Sequence, residues 1–366
     1  MRCEIERVIF LENLTGVIGA LPARTTYPVL QNILIEVTKN KLSMAATDLD
    51  SYIRKEITLT SEKQTEPGKV ILPGRKLLEA CREIGAEKLM LSTAENNIRL
   101  QSGPSDFLFA SLDPAEYPEP PAQPSDSKLE FPLSVLLETY DLTNFAASRD
   151  ESRPAFCGLF FEVKEKKATV VATDGYRLAM VKKTGDFSGK FSAIIPPKVF
   201  TLFPVEEEKV VVTADPAKIG FAFKNTTVIS RLIEGPYPDY ERVIPKKCPD
   251  SLRANREILT AALRRTSVFA HPVGRLVTFN LTSKELTLFA QSPELGSVTE
   301  SLSCQYEGEN LKIGFNVNYL LEILRHIETE EVLMEFSGPL TAGLIKPGQT
   351  SSDIEKLFLL MPIHLD

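Results

Sequence analysis

The sequence predicts an α+β protein made of three tandem copies of one domain, each with two helices gathered on antiparallel sheet. Three recurring features predict it. A strand-turn-strand phrase, an apolar strand running into a helix, and a Tyr-Pro pair each return at a spacing of roughly 120 residues, the size of a domain rather than of a solenoid repeat.

Each unit opens with a stretch whose apolar residues recur at helical spacing: Phe10 to Leu21, Leu133 to Ala147 and Asn255 to Phe269. A pair of strands follows. In the first unit Leu30 to Val37, a polar turn at Thr38 to Asn40 and Lys41 to Thr47 form it. The second copy is Gly158 to Val163, a turn at Lys164 to Lys167 and Ala168 to Thr173; the third is Leu276 to Leu281, a turn at Thr282 to Lys284 and Glu285 to Ala290. The strands Val70-Ile71-Leu72-Pro73, Ala193-Ile194-Ile195-Pro196 and Leu311-Lys312-Ile313-Gly314-Phe315 then lead into helices beginning near Lys76, Lys198 and Tyr319. Tyr117-Pro118 returns as Tyr237-Pro238. Proline-rich linkers at Pro118 to Ser127 and Pro245 to Ser251 place the domains at 1–123, 124–248 and 249–366.

With 366 residues, 43% of them hydrophobic and 25% charged, the chain can bury several cores. No run of some eighteen apolar residues and no apolar signal core occurs, so the protein reads as cytoplasmic and neither exported nor membrane-spanning. Five dispersed cysteines without a CxxC pair suit reduced thiols and argue against zinc or disulfide frameworks. A net charge of −7 disfavours a nucleic-acid binder unless basic residues concentrate on one face. Some do: Arg75, Lys76 and Arg82 fall on the second helix of the first unit, Arg256, Arg264 and Arg265 on the first helix of the third, and Arg325 on its second. A solvated helix face is the plainer reading of any one of them.

Traces of catalysis are missing. There is no GxxxxGK[ST] loop, GxGxxG, GxSxG or HExxH motif, and His271, His326 and His364 lie apart, as surface or interface residues do. Thr47-Asp48 and Thr173-Asp174 could be imagined as hydrolase carboxylates, but both stand after the second strand of their unit, where a repeated turn is the better account. The chain is therefore expected to be no enzyme and to need no cofactor or metal.

The stretches Thr173-Asp174-Gly175-Tyr176-Arg177-Leu178-Ala179, Pro236-Tyr237-Pro238-Asp239-Tyr240-Glu241-Arg242-Val243-Ile244-Pro245 and Leu360-Met361-Pro362-Ile363-His364-Leu365 closely resemble the beta subunit of bacterial DNA polymerase III, over the whole chain. The resemblance implies three clamp-type domains per chain and a head-to-tail homodimer closed as a six-domain ring. Duplex DNA would pass through it without sequence specificity. It further implies DNA contact by Arg24, Arg75, Arg82, Arg149 and Lys198; the helix pattern adds Arg264, Arg265 and Arg325. A cleft that takes short peptides of the replicative polymerase and the clamp loader would be lined by Phe156, Thr173, Gly175, Arg177, Leu178, Pro238, Arg242 and Val243. Leu359, Leu360, Met361, Pro362 and Leu365 would complete it. Leucine, methionine and proline suit buried peptide anchors, and arginine stems suit the rim. The ring would close between Phe107 and Phe109 on one side and Val268, Phe269, Glu294 and Glu300 on the other. Two departures from the family's pattern are the ending His364-Leu365-Asp366 and the pair Pro104 and Asp106, where relatives often carry basic residues. A clamp-like scaffold that binds partners without loading on DNA is the competing reading.

Overall fold

The computed structural model describes residues 1–59, 65–95, 97–187, 189–349, 351 and 353–365; Asp366 lies outside them. The chain forms two compact units, Met1–Leu136 with Ile195–Leu232, and Leu137–Ile194 with Ile233–Asp366. Five α-helices are described: α1 (Arg7–Ile18), α2 (Gly74–Glu83), α3 (Leu133–Thr143), α4 (Arg256–Ser267) and α5 (Val317–Arg325).

In the first unit α1 packs on α2. A four-stranded sheet runs in the order Arg2–Glu6, Lys88–Ala94, Asn97–Ser102, Ser105–Ala110. An eight-stranded sheet runs Gly68–Pro73, Asn32–Val37, Lys41–Thr47, Ser51–Thr58, Thr226–Arg231, Lys218–Ala222, Lys209–Ala214, Ser127–Pro132. In the second unit α4 packs on α5. Its nine-stranded sheet runs Phe191–Ile195, Leu159–Lys164, Lys167–Thr173, Arg177–Thr184, Ile354–Leu360, Gly343–Pro347, Glu331–Phe336, Asp250–Asn255, Gln305–Glu307. Its four-stranded sheet runs Gly296–Ser303, Glu285–Ser292, Leu276–Leu281, Leu311–Asn316. Fully buried phenylalanines, among them Phe10, Phe131 and Phe221 in the first unit and Phe279, Phe315 and Phe358 in the second, fill the cores.

The two long sheets cross the repeat boundaries. Ser51–Thr58 of the first repeat pairs with Thr226–Arg231 of the second, with Tyr52 opposite Ile229. Arg177–Thr184 of the second pairs with Ile354–Leu360 of the third, with Leu178 opposite Leu359. Each repeat thus leaves a strand edge that its neighbour covers, because an open ladder of N–H and C=O groups is costly to leave bare.

The expected hairpins form, and the second turns on Glu165 and Lys166, both in the left-handed region as a tight two-residue hairpin requires. The Thr-Asp turns repeat bond for bond. Thr47 Oγ1 donates to Ser51 O at 2.8 Å and accepts from Leu49 N at 2.9 Å, while Asp48 Oδ1 accepts from Asp50 N and Ser51 N at 3.1 and 2.7 Å. Thr173 Oγ1 donates to Arg177 O at 2.6 Å and accepts from Gly175 N at 3.1 Å, while Asp174 Oδ1 accepts from Tyr176 N and Arg177 N at 2.9 and 3.0 Å. The Tyr-Pro markers also have a common task. The Tyr117 hydroxyl donates to Ala45 O and that of Tyr237 to Val171 O, both at 3.3 Å, two residues before the Thr of each turn. Tyr117→Phe and Tyr237→Phe are each expected to cost about 1 kcal/mol, since each strips a donor from a carbonyl in the interior. Urea unfolding of the two variants checks this, and an unchanged midpoint in both would refute the shared role.

Three expectations need correction. The first strand starts at Asn32, because Pro28 opens a 3-10 turn over Pro28–Gln31 that takes up Leu30 and Gln31. The second helix of the middle repeat is a 3-10 helix over Pro197–Leu202. Pro196 and Pro197 start it, and Pro204 holds Phe203 extended (φ −73°, ψ 140°), so too few residues remain for an α-helix. Finally, α1 begins at Arg7 rather than Phe10 and is amphipathic only on its buried side. Phe10, Leu14 and Val17 point inward at helical spacing, but Val8 and Ile9 are exposed on the other face.

Candidate protein-binding and nucleic-acid-binding surfaces

The expected peptide cleft lies wholly in the second unit and is organised by the turn Thr173–Arg177. Gly175 has φ +93°, a conformation that glycine adopts without steric cost. A Cβ there would approach Arg153 Nη1 to 3.3 Å and Phe156 to 3.9 Å, so Phe156 is held beside the turn, with the Arg153 guanidinium 4.8 Å above its ring.

Arg177 is only 8% exposed yet charged. Its Nε donates to Asp174 Oδ2 at 3.1 Å, Nη2 donates to Phe145 O at 2.7 Å, and Nη1 donates to Glu322 Oε2 on α5. The guanidinium also lies over the rings of Tyr319 and Phe145, at 4.4 and 5.4 Å. Buried charge persists only when its donors are used in this way. His326 stacks on Phe145 at 4.3 Å, and burial holds its imidazole below its ordinary pKa. Its residue type suggested a place at the rim; in the structure Arg177 is the clasp that ties the turn to α5.

The segment 361–365 runs past the turn. Leu360 lies opposite Arg177 in the sheet, and Met361 N donates to Tyr176 O at 2.8 Å. Ile363 N then donates to Gly314 O at 2.8 Å, and a Cβ on Gly314 would meet Leu365 Cδ2 at 2.8 Å, so glycine lets the tail lie flat on the neighbouring strand. Leu178 and Leu359 belong to a buried apolar cluster with Val171, Met180 and Leu344, on which Tyr237, Tyr240 and Ile244 also pack. Those last three anchor the segment that carries Pro238, Arg242 and Val243. Arg242 is exposed and pairs with Asp239 at 2.6 Å, and Val243 is exposed beside it.

The cleft residues therefore fall into two layers. Thr173, Leu178, Leu359 and Leu360, expected to line the cleft, are buried because they occupy adjacent central strands, with Leu178 and Leu359 on one face of the sheet and Leu360, opposite Arg177, on the other. Gly175, Arg242, Val243 and Met361 are exposed, and Phe156, Pro238, Pro362 and Leu365 are half-exposed. The sequence reading missed Tyr319, Phe145 and Glu322, which hold Arg177. A buried arginine needs acceptors, and that was the only signal for them.

The two presumed ring-closing strands are both sheet edges, each with a partner on one side only among the described residues. On Ser105–Ala110, Phe107 and Phe109 are half-buried and stack with ring centroids 6.4 Å apart, while Leu108 is 59% exposed. On Gly296–Ser303, Glu300 is held by Arg265 of α4 through a two-pronged bond of 2.9 and 2.7 Å. Val268 is exposed at the end of α4, with Phe269 half-buried after it, and Glu294 is exposed in the turn before the edge strand. Asp106 pairs with Arg99 of the neighbouring strand at 3.2 Å. Asp106 and Glu300 are thus each paired within one chain.

Among the basic candidates, Arg24, Arg75, Arg82, Arg149, Lys198, Arg264, Arg265 and Arg325 are all exposed. Arg75 Nη2 reaches Leu21 O, near Arg24 in the loop after α1. Lys198 is bonded to Asp48 of the repeated turn, and Arg265 is committed to Glu300. Arg82, Arg264, Arg265 and Arg325 stand in the last turns of α2, α4 and α5, where a cation also offsets the negative end of the helix dipole. The helices are not uniformly basic: α3 carries Glu138 and Asp141 and no cation.

A triplicated α+β chain whose two long sheets run on across the repeat boundaries has the construction of a sliding clamp, a polymerase processivity factor. Known proteins of similar sequence and fold agree. Family models of the DNA polymerase III beta subunit match at residues 1–121 (N-terminal domain), 130–239 (central domain) and 241–362 (C-terminal domain). A beta sliding clamp of Staphylococcus epidermidis is 32% identical, with 100% of this chain and 99% of the relative covered; that of Vibrio cholerae is 29% identical, with both covered in full. The crystal structure of the Pseudomonas aeruginosa beta subunit superposes with a TM-score of 0.94 at 28% identity, and that of Thermotoga maritima with 0.93 at 26%, each over 100% of both chains. The chain belongs to the DNA polymerase III beta subunit family.

Proposed function

We propose that two copies of this chain, each with domains at 1–123, 124–248 and 249–366, close head to tail into a ring around duplex DNA. The ring tethers the replicative polymerase and the clamp loader through the groove of the second unit. It has no catalytic role and works in the cytoplasm. The observation that carries the reading is that Ser105–Ala110 of the first repeat and Gly296–Ser303 of the third each end a four-stranded sheet. Both repeat junctions within the chain are bridged by continuous antiparallel sheet, and pairing these two edges between chains extends the same pattern across the junction of the first and third repeats.

A closed ring holds DNA by topology, so its inner wall needs only phosphate contacts that are weak and blind to sequence. Exposed Arg24, Arg75, Arg82, Arg149, Arg264 and Arg325 supply them, while the acidic balance of −7 keeps the rest of the surface off DNA. Lys198 and Arg265 can contribute only by leaving Asp48 and Glu300.

Because Asp106 and Glu300 are already paired within the chain, the dimer is held by backbone ladder and apolar contact. Leu108→Asp is therefore expected to halve the mass in solution to the 40.7 kDa of one chain and to abolish long products in loader-dependent primer extension on a circular template. A wild-type chain that is monomeric and leaves product length unchanged, beside an active control clamp, would overturn the ring.

A further inference from the structure

We infer that the first unit carries a second peptide-docking groove, a structural counterpart of the groove in the second unit. The inference rests on the reading of that groove as a peptide site. The counterpart is built from the same local frame. The turn Thr47–Ser51 repeats the four hydrogen bonds that the Thr and Asp side chains make with backbone in Thr173–Arg177, and the Tyr117 and Tyr237 hydroxyls seal equivalent carbonyls. Beyond the turn, Arg231 N donates to Asp50 O at 2.8 Å, as Met361 N donates to Tyr176 O at 2.8 Å. Tyr52 faces Ile229 across the strands, as Leu178 faces Leu359. A strand edge, a turn and a Tyr-Pro segment therefore meet in the same way at both repeat junctions.

At the first junction they enclose a groove of about 250 Å³, whose apolar lining is Leu49, Tyr52, Pro118, Pro121 and Ile229. Its rim is charged, with Asp50 and Glu119 set against Lys218 and Arg231. Leu49 stands where the second unit has Gly175. Its φ is +79°, a region that a leucine enters at a cost in conformational energy, and its side chain is 48% exposed. The strained backbone holds a half-exposed apolar side chain at the mouth of a groove, and such strain gathers at binding sites.

The groove selects its occupant. It is smaller than the roughly 300–1,000 Å³ of small-molecule sites, so it admits one apolar anchor side chain of an extended peptide. Gly175, Tyr176 and Met361 in the second unit become Leu49, Asp50 and Arg231 here, so the two rims read different flanking residues. Asp50 and Arg231 are 3.8 Å apart and both well exposed, a weak pair that can exchange partners without stranding a buried charge. The occupant is an extended peptide with a leucine anchor between residues of opposite charge.

The test titrates two fluorescent peptides into the full-length protein and follows anisotropy. The charged probe is Ser-Glu-Leu-Leu-Lys-Ser and the neutral one Ser-Gln-Leu-Leu-Gln-Ser. Leu49→Gly is expected to raise the melting temperature, by releasing the strained backbone, and to weaken the charged probe about tenfold while leaving the neutral probe within about twofold. Met361→Ala is expected to do the reverse to the two probes. Loss of the charged probe in Met361→Ala, indifference to Leu49→Gly, or no saturation of the charged probe by about 1 mM would each overturn the second groove. A neutral probe that fails to bind wild type, beside a charged probe that depends on Leu49, would sink the peptide reading of the second unit's groove and leave the first unit's standing.

Discussion

Arg177→Ala is expected to destabilise the protein by about 3 kcal/mol, a larger loss than either tyrosine truncation should cause. The guanidinium joins Asp174, the Phe145 carbonyl and Glu322, and covers the faces of two rings, so its removal opens a cavity and leaves acceptors without donors. The figure sits at the low end for a broken buried pair. Glu322 is partly exposed and can return to water, and Asp174 keeps the two backbone N–H donors of its turn. Arg177→Lys should recover little of the loss, because an ammonium cannot reach three acceptors in one plane. Urea unfolding measures both variants. A loss below about 1 kcal/mol would show that the clasp is not a structural element.

The second large effect concerns partners. The double variant Met361→Ala with Leu365→Ala is expected to weaken a partner peptide by about 30-fold, near 2 kcal/mol, and to shorten primer-extension products while the dimer mass stays unchanged. Met361 is 38% exposed, but its backbone N–H is fixed to Tyr176 O, so truncation removes an anchoring surface without releasing the tail. Peptide affinity within twofold of wild type would place the partner site elsewhere. Normal affinity with short products would instead point to a fault in loading or DNA contact.

Much of the molecule was legible in the residues. The hairpins, the Thr-Asp turns and the Tyr-Pro segments follow from short-range patterns: a side-chain oxygen of Thr or Asp accepts from N–H groups two or three residues on, whatever surrounds it. The 3-10 helix of the middle repeat could also have been read from Pro196, Pro197 and Pro204, had the prolines been weighed above the apolar spacing of Val199 and Phe200. The layering of the cleft was not legible. Leu359, Leu360 and Met361 are adjacent and all apolar, and only the pairing of Ile354–Leu360 with Arg177–Thr184 decides that two are buried and the third lies at the surface.

By itself the sequence determined the triplication and the local turns, because each depends on residue type within a few positions or on a repeated spacing. Only the tertiary structure decided which edges of the repeats pair and which stay open, that Arg177 closes on Glu322 145 residues away, and that Arg265 is spent on Glu300. These contacts join segments far apart in the chain. No nearby residue encodes them, and they exist only because the folded sheets bring particular edges and charges within reach of one another.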